Sequence, residues 1–360
     1  MTLERMYAAQ SSPIPRLLAD ALAGSWRASP PEPRLAAGEL ARIVSPLVGS
    51  GAAALAWWKL RRLPLRDCAA AETLRRSYHR QTLQVALQEP EIEHVFTLLH
   101  SAGVEPVLLK GWAAAGLYPE RGLRPPGDID LCVRPDQYDT ASRILSGPGR
   151  KGTTVTDLNH DASALLGAGG WDALYARTRL VALGEARVHV LGPEDLLRFL
   201  SLHLLRHSAY RPLWLCDIAA AMERAPSDFD WDVALGHYPI TRNWVACVLD
   251  LARLLLGARR EDLPAEVAST RAPSWFVQEV LRQWERPTAA EHRPRELMSV
   301  SLRRPARALP ALLARWPNPI GAAVGLRLPF GEGPRLPSQL ALYLVHSAAF
   351  LARGPRRLRL

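Results

Sequence analysis

One stretch of thirty residues, Pro106 to Pro135 (PVLLKGWAAAGLYPERGLRPPGDIDLCVRP), constrains the fold of this chain more than any other. It begins with a short apolar run, Val107-Leu108-Leu109, the length of a buried strand rather than of a helix. Lys110-Gly111 ends the run, and a small-residue helix is predicted from Trp112 to about Tyr118, where Pro119 stops it. A loop carrying Arg121, Gly122, Arg124, Pro125, Pro126 and Gly127 follows. Asp128-Ile129-Asp130 then opens a second strand, Ile129 to Val133. Side chains i and i+2 of a strand share a face, so Asp128 and Asp130 sit side by side, about 6.6 Å apart along the backbone at a ~3.3 Å rise per residue. Two such carboxylates can bracket Mg²⁺, a hard ion that takes oxygen ligands and keeps substrate phosphates among them. A pair of these ions ~3.5–4 Å apart clamps the attacking and leaving oxygens of an in-line phosphoryl transfer. Gly111, lacking a side chain, would let backbone N–H groups approach a phosphate where the next helix starts.

Taken in order, Lys110-Gly111, a short helix and loop, and Arg124-Pro125-Pro126-Gly127-Asp128-Ile129-Asp130-Leu131 resemble the bacterial family of uncharacterised nucleotidyltransferases, within the polymerase-β-like superfamily. The motif covers some thirty residues, and weaker similarity extends over most of the chain. The superfamily pattern is a glycine-containing strand-to-helix turn, a short helix and a strand alternating apolar residues with two aspartates, with a third acid on a later strand. The β-rich run Thr153–Leu158 is the expected next strand. The family carries an acid, Leu or Val, and then His at about this point; Asp157-Leu158-Asn159-His160 is a near match with Asn159 as an extra residue. The resemblance makes Asp157 the third carboxylate, with Asp161 as the alternative; the competing reading is a strand-end turn residue. Trp112 stands where many superfamily members have a serine that helps hold the triphosphate, so phosphate contact would rest on backbone N–H groups and Lys110.

The resemblance therefore implies catalytic and metal-holding roles for Asp128, Asp130 and Asp157, and nucleotide binding by Lys110, Gly111, Arg121 and Arg124. The expected activity is Mg²⁺-dependent, with Mn²⁺ as an alternative ion. An NMP moves from an NTP such as ATP to a small-molecule, peptide or protein acceptor, and pyrophosphate leaves. Two other readings stand beside it: a catalytically silent protein that holds a nucleotide or peptide in a basic cleft, and an antitoxin-like or tRNA-directed transferase. The absence of a long basic face studded with aromatics argues against a nucleic-acid partner.

Length bounds the architecture: 360 residues suit two or three domains. The expected fold is α+β, a small mixed β-sheet nucleotidyltransferase core at 105–192, with an N-terminal helical region at 1–104 and a C-terminal helical domain at 193–360. The 30 prolines predict many short helices rather than long ones. The net charge of +10 fits an anionic partner, although a coding bias toward arginine would produce the same excess. Cys68, Cys132, Cys216 and Cys247 show no C-x-x-C spacing and read as isolated thiols of a reducing compartment. No secretory signal and no run of ~20 apolar residues stands out, so a cytoplasmic protein without a membrane span is expected.

In the N-terminal region, helices are predicted over Ala37–Leu60, broken near Gly49-Ser50-Gly51, over Ala69–Gln88, with Leu74, Tyr78, Leu83 and Leu87 near one apolar stripe, and over Glu91–Ala102, with Pro90 in its first turn. Trp57-Trp58 reads either as a core anchor or as part of an aromatic-basic patch with Lys59, Arg61 and Arg62. Beyond the aspartates, a helix is predicted from Pro135 to Leu145, a short strand over Arg187–Leu191, and a helix over Leu196–His207, opened by Gly192-Pro193-Glu194-Asp195. His203 and His207 lie one turn apart; packing, or a phosphate contact with Arg206 and Arg211, suits them better than a metal site with no third ligand. Trp214-Leu215-Cys216-Asp217 resembles a recurring family element, which makes Asp217 a candidate site-lining residue. Further helices are predicted at Asn243–Leu256 and Pro273–Trp284.

Overall fold

The computed structural model describes residues 12–147, 149, 152–159, 170–285 and 316–353. It is an α+β fold built on a five-stranded mixed sheet with helices before and after it. Ahead of the sheet come α1 (Ile14–Leu22), α2 (Ala37–Gly49), α3 (Ala53–Leu60) and α4 (Ala69–Ser101). The break expected near Gly49-Ser50-Gly51 separates α2 from α3, and Gly51 takes a φ of +79°, a left-handed conformation that favours glycine. Trp58 is a core anchor: it is buried, and its indole N–H donates to the Arg27 carbonyl at 2.9 Å.

α4 corrects two expectations. It is one helix of 33 residues that runs straight through Pro90, rather than two helices meeting there. Proline inside a helix costs ~3 kcal/mol through its missing N–H and a ring clash. Burial at both ends offsets that cost: Ala71 and Leu74 join the core beneath the N-terminal helices, while Ile92, Val95, Phe96 and Leu99 join the core against the sheet. The apolar stripe is also rotated from the expected one. Leu83 and Leu87 face solvent, and the inward positions run Leu74, Ser77, Gln81, Val85, Gln88, Ile92, Val95 and Leu99. Two of them are glutamines, which hid the stripe; Gln88 donates to the Gly127 carbonyl in the loop before the aspartates.

The strands are β1 (Val107–Leu108), β2 (Ile129–Cys132), β3 (Thr156–Asn159), β4 (Arg179–Leu183) and β5 (Ala186–Val190), in the spatial order β3-β2-β1-β5-β4. β1 runs antiparallel to β2 and parallel to β5; β2 and β3 are parallel; β4 and β5 form an antiparallel hairpin. β4 is absent from the sequence reading. Its signal was the two-residue Gly184-Glu185 turn between two apolar segments, with Gly184 at φ +56°. Between the strands lie α5 (Trp112–Ala115), shorter than expected, α6 (Tyr138–Ser146) and α7 (Gly170–Ala176).

Strand alternation divides the core. Leu108, Ile129, Leu131, Val133, Val188 and Val190 point to one face, where α4 and α6 cover them. Val107, Leu109 and Cys132 point to the other and join a core shared with the helices that follow the sheet: α8 (Pro193–Arg206), α9 (Pro212–Arg224), α10 (Trp231–Leu235), α11 (Pro239–Leu256), α12 (Ala265–Ser269), α13 (Ser274–Glu285) and α14 (Pro319–Gly325). α15 (Leu336–Arg353) packs on α14. The same core holds Leu18, Leu22 and Trp26, so the first and last helical regions are packed together. Arg27, paired with Glu223 at 2.6 Å, ties them at the surface. Among the described residues no helix is long and apolar enough to cross a membrane.

Candidate active site

The site lies on the second face of the sheet. The Leu109 N–H donates to the Asp130 carbonyl at 2.9 Å, which brings the end of the first strand beside the aspartates. The chain then turns at Gly111, with φ +67° and ψ −111°, a conformation that penalises any other residue. A Cβ at Gly111 would also sit 3.4 Å from the Asp128 carbonyl oxygen. α5 is one turn long, and Trp112 anchors its start: the ring is buried and its N–H donates to Glu89 of α4 at 2.8 Å. The tryptophan that replaces the superfamily serine thus faces the core, not a ligand.

On β2, Ile129 is buried against α4 and α6, which turns Asp128 and Asp130 to the opposite face. The structure brings the third predicted acid to them. Asp157 is the register partner of Asp130 across the parallel β2–β3 pair, so their side chains share a face about 4.8 Å apart along the hydrogen-bonding direction. Asp161, the alternative, lies outside the described residues.

The three carboxylates differ in surroundings. Asp128 and Asp157 are exposed, whereas Asp130 is 5% exposed, with Lys110 Nζ 2.9 Å from its Oδ1. Burial pushes the Asp130 pKa up, the Lys110 ammonium pulls it back, and the charges of Asp157 and Asp128 push it up further. A buried carboxylate with two acidic neighbours attracts cations. The donors are all hard oxygens, which fits a Mg²⁺-type ion. Among the described residues, however, no three His, Cys, Asp or Glu side chains converge closely enough to close around a metal ion by themselves. An ion here would need oxygens brought by a substrate.

Arg121 and Arg124 do not reach the aspartates as free cations. The Arg121 guanidinium lies 4.0 Å over the Trp112 ring and donates to the Trp112 carbonyl at 3.0 Å. Arg124 is buried and forks onto Asp217 of α9, Nε to Oδ1 at 3.0 Å and Nη2 to Oδ2 at 3.0 Å. Asp217 also accepts from the Tyr118 hydroxyl at 2.7 Å and is 0% exposed. Asp217, a candidate site-lining residue by resemblance, therefore braces the loop that leads into β2. Tyr118 and Glu89 escaped the sequence reading; a tyrosine just before the loop arginines was the available signal.

The opposite wall comes from α8 and α9. The His203 and His207 rings lie 4.6 Å apart, tilted by 55°, and both pack on Trp214, at 4.7 and 5.2 Å. Burial lowers the pKa of each, and the Lys110 charge lowers both further. A separate surface cleft of about 490 Å³, lined by Arg27, Ser29, Pro31, Glu223 and Arg259, shares no residue with this site.

One family model, described as an uncharacterised nucleotidyltransferase, matches the chain twice, over residues 43–164 and 150–257. Together the two matches span more than half of the protein. The chain belongs to this nucleotidyltransferase family. No curated protein and no solved structure matches it. The family assignment takes in every element of the site: the Lys110-Gly111 turn, the aspartate strand, Asp157, the histidine helix and Asp217. General nucleotidyl transfer, with a nucleotide as substrate, is the function that the family name carries.

Proposed function

We propose that this protein moves an NMP from an NTP to a hydroxyl or phosphate oxygen of a small-molecule, peptide or protein acceptor and releases pyrophosphate. The observation that carries the reading is the register of β2 and β3, which sets Asp157 beside Asp130 with Asp128 one pleat away. Asp128, Asp130 and Asp157 would hold Mg²⁺, or Mn²⁺, together with the substrate phosphates. Such an ion polarises the phosphoryl group and steadies the charge on the leaving oxygen.

The chain's own residues supply the rest. Gly111 keeps the turn beside Asp128 free of a side chain, so that the triphosphate can lie over it. Asp157, exposed and at the open edge of the acidic group, takes the proton of the acceptor hydroxyl. The acceptor oxygen bonds to the α-phosphorus, the bridging α–β P–O bond breaks, and pyrophosphate leaves with the electron pair. Lys110 offsets the charge that develops, and the protein positions the reacting groups in line. Arg124 acts as a positioning residue, since its pair with Asp217 fixes the loop that delivers Asp128. A cytoplasmic setting agrees with the four free cysteines.

A second reading draws on a specific observation. Asp130 already has Lys110 as its counter-ion, and the acids do not close on one another, as in a catalytically silent nucleotide-binding protein. Incubating the purified protein with each α-³²P-labelled NTP, Mg²⁺ and a cell extract separates the two. Label transferred to an acceptor, with pyrophosphate released, supports the enzyme. Retention of intact NTP without turnover supports the binder.

A further inference from the structure

The cations expected to receive the triphosphate are engaged elsewhere. Arg124 is buried against Asp217, and Arg121 lies on Trp112. Among the described residues Lys110 is the cation paired with one of the three aspartates, Asp130, at 2.9 Å. A triphosphate carries about four negative charges, and charge-assisted contacts to guanidinium groups are the usual way to hold it.

The structure supplies such groups across from Lys110. α8 ends at Arg206-His207, and the chain re-enters α9 through Arg211. Arg211 Cζ lies 5.4 Å from the Trp214 ring, on which His207 packs at 5.2 Å. Trp214 lies three residues before Asp217 on α9, and the Asp217–Arg124 pair at 3.0 Å fixes that helix against the loop leading to Asp128. In keeping with this, Lys110, Arg206 and Arg211 each lower the His207 pKa, after burial. Among the described residues neither Arg206 nor Arg211 has a carboxylate within salt-bridge distance, and the buried Arg211 Nε has no hydrogen-bond partner. The linking turn is strained: Ser208 and Ala209 both take φ +56°, although neither is glycine. It is held in place all the same. The Ala209 N–H donates to the Leu204 carbonyl at 2.8 Å, and the Trp284 N–H donates to the Ala209 carbonyl at 3.1 Å. Strained backbone maintained in this way is concentrated at functional sites.

We infer that Arg206, His207 and Arg211, beside Lys110, form the wall that takes the β- and γ-phosphates of the NTP, an assignment that rests on the nucleotidyl-transfer reading above. The carbonyl end of α8 opposes an anion with about half an elementary charge, and two guanidinium groups and an ammonium outweigh it. The Arg211 guanidinium lies beside the Tyr210 and Trp214 rings, at 5.6 and 5.4 Å, and its planar fork suits a two-oxygen phosphate contact.

The test is calorimetric titration of the full chain with inorganic tripolyphosphate, without metal or acceptor. Wild type binds; the R206Q/R211Q double variant loses about tenfold or more in affinity; R211K recovers part of the loss; D128N binds at least as tightly as wild type. R206Q alone, at an exposed position, shows about a threefold loss and guards against a double variant that fails to fold. Wild-type affinity in R206Q/R211Q, or no binding by wild type, overturns the assignment. Binding that depends on these arginines in a protein that transfers label from no NTP keeps the wall and removes the transferase reading.

Discussion

Asp130 and Asp217 are both buried carboxylates on the same side of the sheet, and they are held in opposite ways. Asp217 is saturated: two nitrogens of Arg124 and the Tyr118 hydroxyl meet its oxygens. Asp130 has one ammonium and two acids for neighbours, and its pKa rises. A fold that needed only stability would complete the Asp130 set as it completes that of Asp217. On the proposed reading, the contrast separates a brace from a reactive position. The two are linked, because the Arg124 that satisfies Asp217 also feels the charge of Asp130.

Asp217→Ala should do the most damage. It strands Arg124 without its partner, and breaking a buried pair costs about 3–5 kcal/mol, read as a large fall in the thermal midpoint. If D217A melted like wild type yet lost transfer, Asp217 would belong with the reactive acids and the contrast would break. Lys110→Met sharpens the other side. Lys110 holds the Asp130 pKa down against burial and two acids. Without it that pKa climbs, the carboxyl group stays protonated to higher pH, and the acid limb of the rate profile moves up. An unmoved limb would show that Asp130 ionisation does not limit activity. Tyr118→Phe is the mildest change. It removes one of four hydrogen bonds to the Asp217 carboxylate and should cost about 1–1.5 kcal/mol with the transfer rate unchanged, as chemical denaturation and kinetics together would show.

Much of this was legible in the sequence because strand chemistry is local. Asp128-Ile129-Asp130 alternates at the period of a pleated strand, the β-branched run Thr153–Leu158 marked the next strand, and the family resemblance of Asp157-Leu158-Asn159-His160 pointed to Asp157 on it. Nothing local told that Arg124 would turn inward, because its partner is 93 residues away on α9. Likewise Pro90 looks like a helix start until burial at both ends of α4 carries the helix across it. The hairpin strand β4 was missed because Arg179–Leu183 (RLVAL) is an edge strand without apolar–polar alternation in its sequence. The role of the Arg206–Arg211 segment depends on how α8 and α9 pack near Lys110, which no window of sequence contains.

The most direct measurement compares wild type, D128N and D130N for release of pyrophosphate from NTP with Mg²⁺, alongside their thermal midpoints. Because the raised Asp130 pKa means that the ionised group opposes folding at neutral pH, D130N should melt at or above wild type. Both variants should lose at least about a hundredfold in turnover while remaining folded. Undiminished pyrophosphate release in folded D128N and D130N would contradict the account at its centre.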